Sequence, residues 1–404
     1  MNITIASLHK LYLSLLVLTS ILYCTSLPYV PVPLFVVAII IYFVTSIIRN
    51  TKIMIPIDTA LVAIIMTLLL CQLPFLAAVS QVEPTVGIKQ FAARLMFILV
   101  IPVLFSLQKV IPLETQYELK ILTLLFTYGI YEFIAKLYSL PLFLSFLINN
   151  SSYTNTLKIT SVAGGWIDLY RSQSVWAEPS FSMFPVLLFL FAYHTRETKS
   201  KIQYLIMLVY TTLTFSRSVY AVVLVFYFVL FFLYFTKRFN IITRSVVITL
   251  TIFGILVAGT AKVTCFASDL SARGRSESII AGLDIIRNHP IIGIGFNSFS
   301  ELHQFYHVTE SVIHNSYINY LASSGIFGLS ILIFLFYKCF AALVIRYECN
   351  DFSIRLAALL SFISSGFFIS DFLYSAISWY LLFKICFDDN KSYQNSVKVV
   401  PARA

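Results

Sequence analysis

The sequence predicts an all-α fold, a polytopic integral membrane bundle of about twelve transmembrane helices. Three observations point there. Hydrophobic residues make up 59% of the 404 and charged residues 11%, against about 25% charged in a soluble domain. With 37 Phe and 24 Tyr, the chain carries more apolar surface than a water-soluble particle can bury. Stretches long enough to cross a bilayer as helices recur throughout, and twelve of about 20 residues would use roughly 240. The same composition excludes disorder, a coiled coil and a small disulfide scaffold.

The expected spans fall at 11–27, 30–48, 53–79, 91–107, 121–147, 181–194, 204–215, 219–235, 245–261, 316–344, 356–370 and 373–387. Lys10 precedes the first, as in a signal peptide. It lacks a small-residue cleavage site and further apolar segments follow at once, so it reads as a retained span. Arg49 and Lys52 separate the second span from the third, and Lys109 and Lys120 separate the fourth from the fifth. Arg196–Lys201 and the 236–244 segment form basic breaks on either side of the seventh and eighth spans. Within the fifth span, Glu132 and Lys136 stand at i,i+4, the spacing of an intrahelical ion pair. Gly325-Ile-Phe-Gly328 inside the tenth reads as a site of close helix packing.

With the N-terminus in the cytoplasm, 18 of the 28 Lys and Arg fall in inner segments. That distribution follows the positive-inside rule. It also explains the net charge of +10 without nucleic acid as a partner. Both termini are then cytoplasmic, and 388–404 is a cytoplasmic tail. The 404 residues are expected to form a single transmembrane domain, interrupted by two long exterior loops at 148–180 and 262–313. Of Cys24, Cys71, Cys265, Cys339, Cys349 and Cys386, only Cys265 falls in a long exterior loop, so no exterior disulfide framework is expected. No Cys or Cys/His cluster suggests a metal, and no cofactor is expected.

Polar chemistry gathers in the two loops. Glu178-Pro179-Ser180 stands directly before a span, where partial desolvation raises a carboxyl toward general-base use. The same position equally suits a carboxylate at the positive end of a helix dipole. Ser216-Arg217-Ser218 occupies an exterior turn between two spans. An Arg there either snorkels or offers its planar fork to an anionic headgroup. The second loop carries Arg273, Arg275, Arg287, His289-Pro290, Gly293, Gly295, His303, His307 and His314-Asn315. Two Arg spaced two apart suit a diphosphate, and preorganised donors stabilise such a group as it leaves. His303 and His307 at i,i+4 read as a solvated helix face rather than as metal ligands, because only Glu301 and Glu310 are near in sequence.

Three pieces together resemble the O-antigen polymerase (Wzy-type) and O-antigen ligase superfamily. They are Arg171 through Glu178-Pro179-Ser180, the Ser216-Arg217-Ser218 turn, and the run from Arg275 through His289-Pro290, Gly293, Gly295 and Phe299 to His314-Asn315, Tyr317, Leu321, Gly325 and Gly328. The resemblance implies a GT-C-like helical fold. It also implies a metal-independent glycosyltransferase acting on polyprenyl-diphosphate-linked oligosaccharides at the periplasmic face of the bacterial inner membrane. Carried onto this chain, Arg217 and Arg275 hold the lipid diphosphate, and His314 sits at the reaction centre. Arg171 and Glu178 lie in the acceptor or base region, with Arg273, Arg287, Ser216, His289 and Asn315 as further binding residues. An aromatic that the family often places a few residues after the loop Arg is Ile279 or Ile280 here, so the counterpart of that Arg is either Arg273 or Arg275.

Glu-Pro-Ser favours a surface-polysaccharide polymerase, such as an O-antigen polymerase, over a ligase that transfers finished glycan to lipid A–core. A lipid-linked oligosaccharide flippase is the non-enzyme alternative; it would set its charges on broken helices at mid-membrane. Beyond the lipid-linked oligosaccharides and the bilayer, the resemblance implies a chain-length regulator protein as partner.

Overall fold

The computed structural model describes residues 115–138, 140, 156–160, 166–170, 179–196, 199–235, 270–295, 298–299, 303–308, 310, 312–344, 351–369, 373 and 376–387. The five expected spans at 11–27, 30–48, 53–79, 91–107 and 245–261 lie outside them. The described elements are helical, with one addition that the all-α expectation did not contain. Strands β1 (Thr156–Thr160) and β2 (Trp166–Tyr170) pair antiparallel inside the first long loop, with Lys158 opposite Asp168 in register.

The chain forms two compact units. In the first, helix α1 (Thr115–Leu137) packs against α2 (Met183–Thr195) and α3 (Lys201–Leu213). Pro179 opens a 3-10 turn, Pro179–Ser182, that leads into α2, as a ring with fixed φ at a helix entrance predicts. Every residue of α2 from Met183 to Tyr193 is buried. A helix apolar all round belongs inside a bundle rather than at its surface. Phe126 of α1 ties the unit together, stacking on Tyr210 at 4.8 Å and meeting Phe189 edge-on at 5.7 Å.

Helix α3 starts at Ser200, whose Oγ accepts from Gln203 N. The expected Glu132–Lys136 pair forms at 2.7 Å and is buried. Helix α8 (Ala376–Phe387) packs on α2, and its Lys384 Nζ lies 3.2 Å from Glu118 Oε1 of α1. Tyr380 OH donates to the same oxygen. Lys384 is therefore a buried partner and not a loop charge. Arg355 is also buried and paired, with Nε 2.9 Å from Asp351 Oδ2. Both are among the 18 Lys and Arg assigned above to the inner side.

Helix α4 (Arg217–Phe235) gives its first turns, through Val223, to this unit and the remainder to the second. The second unit also holds α5 (Leu270–Asn288), α6 (Ser316–Val344) and α7 (Phe352–Ser365). Among the described residues, α4 and α6 are the helices long and apolar enough to cross a membrane. The second long loop is folded rather than open. α5 fills its first half, and Ala281, Ile285, Ile294, Phe299, Val308 and Ile313 bury against Ala322 of α6.

Helix α6 is broken. Gly325 has φ 63° and ψ −162°, a conformation open essentially only to glycine. The break frees backbone groups that a membrane helix cannot leave bare. The Pro290–Gly295 segment satisfies them, about 13 Å along the helix from Ser316. Ile294 N donates to Ala322 O at 3.0 Å, Gly295 N to Ser323 O at 2.8 Å, and Ile326 N to Pro290 O at 2.9 Å. The approach is so close that a Cβ on Gly325 would lie 2.1 Å from Ile291 O. A Cβ on Gly328 would meet Ser324 of its own helix. The expected packing of another helix on Gly325 is thus corrected: what approaches it is loop backbone.

Candidate functional site

The second unit gathers three charged or titratable groups on the loop. Arg275 projects from the first half of α5 and is half-buried. Its Nε is fully enclosed and has no hydrogen-bond partner among the described residues. A buried guanidinium nitrogen without an acceptor is costly, so it marks either strain or a place for an anion. Glu310 and His314 come next, from the segment that leads into α6. His314 Nε2 lies 3.5 Å from Glu310 Oε2, and both side chains are part-exposed. The hydrogen bond with His314 holds the Glu310 carboxyl below the usual carboxylate range; burial opposes this, while the charges of His314 and Arg275 add to it. One carboxylate thus lies within electrostatic reach of both the Arg and the His singled out in the sequence.

The backbone around His314 is fixed by its neighbours. Ile313 is fully buried. Asn315 is buried and caps α6, its Oδ1 accepting from Tyr317 N at 3.0 Å and Ile318 N at 3.2 Å. Ser316 N donates to Gly366 O at 2.7 Å, and Ser316 Oγ donates to Ile369 O at 2.8 Å. Asn315, expected as a binding residue, thus spends its side-chain oxygen on the helix start.

Arg273 and Arg275 both fall on α5, where positions two apart do not share a face. Arg287 and His289 are exposed at the far end of α5. The carbonyl of His289 accepts from Gly293 N at 3.1 Å and so helps shape the turn that reaches α6. Gly293 and Gly295 have φ of 74° and 92°. Their spacing, a weak signal alone, marks the segment that enters the broken helix. The 303–307 stretch is a turn rather than a helix face, and His307 has φ 53°.

Ser216 and Arg217 belong to the first unit. Phe215 takes a left-handed φ of 44°, which lets Ser216 turn inward. Ser216 is buried and shares a 2.7 Å hydrogen bond with Ser218, while Arg217 is exposed as the first residue of α4. The flanking serines hold each other. Arg171, Glu178 and the Arg273 side chain lie outside the described residues. Among those described, no group of three or more His, Cys, Asp or Glu is placed to hold a metal ion.

Sequence reasoning missed Glu310 as a site residue. Its i,i+4 position before His314 is no signal outside a helix, and only the folded segment before α6 brings the two side chains together.

In comparison with known proteins, residues 202–333 match the family model described as O-antigen ligase. The matched segment contains Ser216, Arg217, Arg273, Arg275, Arg287, His289, Glu310, His314 and Asn315, and it supports the O-antigen polymerase and ligase superfamily. No curated protein and no solved structure matches the chain.

Proposed function

We propose that this chain is a surface-polysaccharide polymerase. It joins polyprenyl-diphosphate-linked oligosaccharide repeats at the periplasmic face of the bacterial inner membrane, as a multi-pass protein with both termini in the cytoplasm. A hydroxyl on the terminal sugar of one lipid-linked repeat attacks the anomeric carbon of a nascent glycan held on polyprenyl diphosphate. His314 or Glu178 takes the hydroxyl proton. Arg275 and Arg217 stabilise the departing diphosphate in place of a metal. Lipid anchoring of both substrates in one plane raises their effective concentration.

The observation that carries this reading is the enclosed Arg275 Nε, without a hydrogen-bond partner among the described residues and close to the Glu310–His314 pair. The half-buried guanidinium as a whole, beside that pair, is the planar cation that suits a departing diphosphate. The break in α6 does not favour transport. Its Ala322 and Ser323 carbonyls accept from the loop, where a transporter would leave unwound carbonyls for ions.

Arg275→Ala and Arg275→Lys test it in purified protein supplied with lipid-linked repeats. Both lose long-chain product while inserting normally, because a Lys point charge cannot replace the planar fork. Full-length polymer from Arg275→Ala refutes the reading.

The family description favours one second reading, a ligase that transfers the glycan to lipid A–core. Deleting the gene separates the two. Loss of a polymerase leaves single-repeat glycan on the core, whereas loss of a ligase leaves bare core and polymer on the carrier lipid.

A further inference from the structure

We infer that Glu310 is a positioning residue for the transfer proposed above, its carboxylate holding the His314 imidazole by Nε2 so that Nδ1 takes the acceptor proton. The inference rests on that proposed reading and adds to it a residue drawn from the geometry alone.

The backbone on both sides of the pair is anchored. Val308 and Ile313 are buried in the loop core, and Asn315 is fixed by its two cap bonds. The freedom left to His314 is rotation of its own side chain, and the 3.5 Å contact with Glu310 restrains it. A base oriented by a third group is the arrangement that activated hydroxyl nucleophiles use.

Glu310 is badly suited to be the base itself. The neighbouring His314 and Arg275 keep it ionised and weakly basic. It is well suited to stabilise an imidazolium. In the step, the acceptor oxygen bonds to the anomeric carbon as the bond from that carbon to the diphosphate oxygen breaks. The bonding pair leaves with the diphosphate. The hydroxyl proton passes to His314 Nδ1, Glu310 balances the new positive charge, and the proton then goes to solvent or to the departing diphosphate.

The test is steady-state polymerisation by the full-length protein in detergent, with varied lipid-linked donor. Glu310→Ala lowers kcat about 100-fold, and Glu310→Gln, which preserves shape, lowers it about 10-fold, with donor KM unchanged in both. Glu310→Asp restores most of the rate. Wild-type kcat in Glu310→Ala, a loss confined to KM, or an Asp variant no better than Ala would each overturn the inference. His314→Ala is measured alongside. If it polymerises normally, the reaction-centre reading itself fails; if it is inactive while Glu310→Ala is fully active, only the role of Glu310 falls.

Discussion

Replacing Gly325 with alanine puts the joint between the loop and the broken helix under direct strain. The residue sits at φ 63° and ψ −162°, which costs an L-residue about 1–3 kcal/mol. The added Cβ would stand 2.1 Å from Ile291 O and 2.5 Å from Ile292 N, so the Pro290–Gly295 segment must retreat. Retreat breaks the three crossing hydrogen bonds, from Ile294 N, Gly295 N and Ile326 N. Each leaves buried polar groups unsatisfied at about 1–3 kcal/mol. Taking the low ends gives a loss of about 4 kcal/mol. At about 2 °C per kcal/mol, Tm falls by on the order of 8 °C. Thermal unfolding of the detergent-purified protein reads the loss. Ile326→Ala, a neighbouring change at an exposed position, serves as the control and moves Tm little. If Gly325→Ala unfolds within 1–2 °C of wild type (about 1 kcal/mol or less), the joint is not where this stability resides.

Two further outcomes follow from the charged pairs. Lys384→Met strands the Glu118 carboxylate in the core of the first unit, a loss of about 3–5 kcal/mol. Adding Glu118→Gln recovers much of that loss, and a double variant as unstable as the single one would contradict the pairing. The second outcome concerns acid. The folded state depresses the Glu310 carboxyl, so the Glu310–His314 contact contributes stability that is present above the ordinary carboxylate range and lost as pH falls through the folded value. The wild-type Tm therefore drops more steeply between about pH 5 and pH 3 than that of Glu310→Gln. Parallel curves would remove the contribution.

Among the described residues, much of the helical scaffold was legible in the sequence, because long apolar runs bounded by charge admit few readings. Ser316–Val344 emerged with the expected bounds, and Arg217–Phe235 begins two residues before its expected start. Leu270–Asn288 was not legible. Its apolar positions are diluted by Ser, Arg and Glu, and it buries only one side, so it reads as loop. Gly325 shows a different limit. Gly-x-x-Gly has the same spacing whether the glycines admit a neighbouring helix or allow the chain to break, and only the partner's position decides. Lys384 misled for a related reason. Sequence counts a basic residue near a span end as a loop charge, while Glu118 and Tyr380, which hold it, are distant in sequence. Arg275 and His314 stood out by residue type and context. Glu310 did not, since a single acidic residue between polar neighbours carries no pattern of its own.

The stitched break in α6 also decides where this polypeptide can be cut. An excised loop fragment ending at Ser316, where the apolar stretch begins, would carry Ile294 N and Gly295 N without Ala322 O and Ser323 O to receive them. The first nine residues of that apparent anchor, Ser316–Ser324, are thus structural members of the loop subdomain, and its natural seam lies at Gly325. A soluble version built to retain the loop's shape has to extend through Ile326, so that the Pro290 carbonyl keeps its donor.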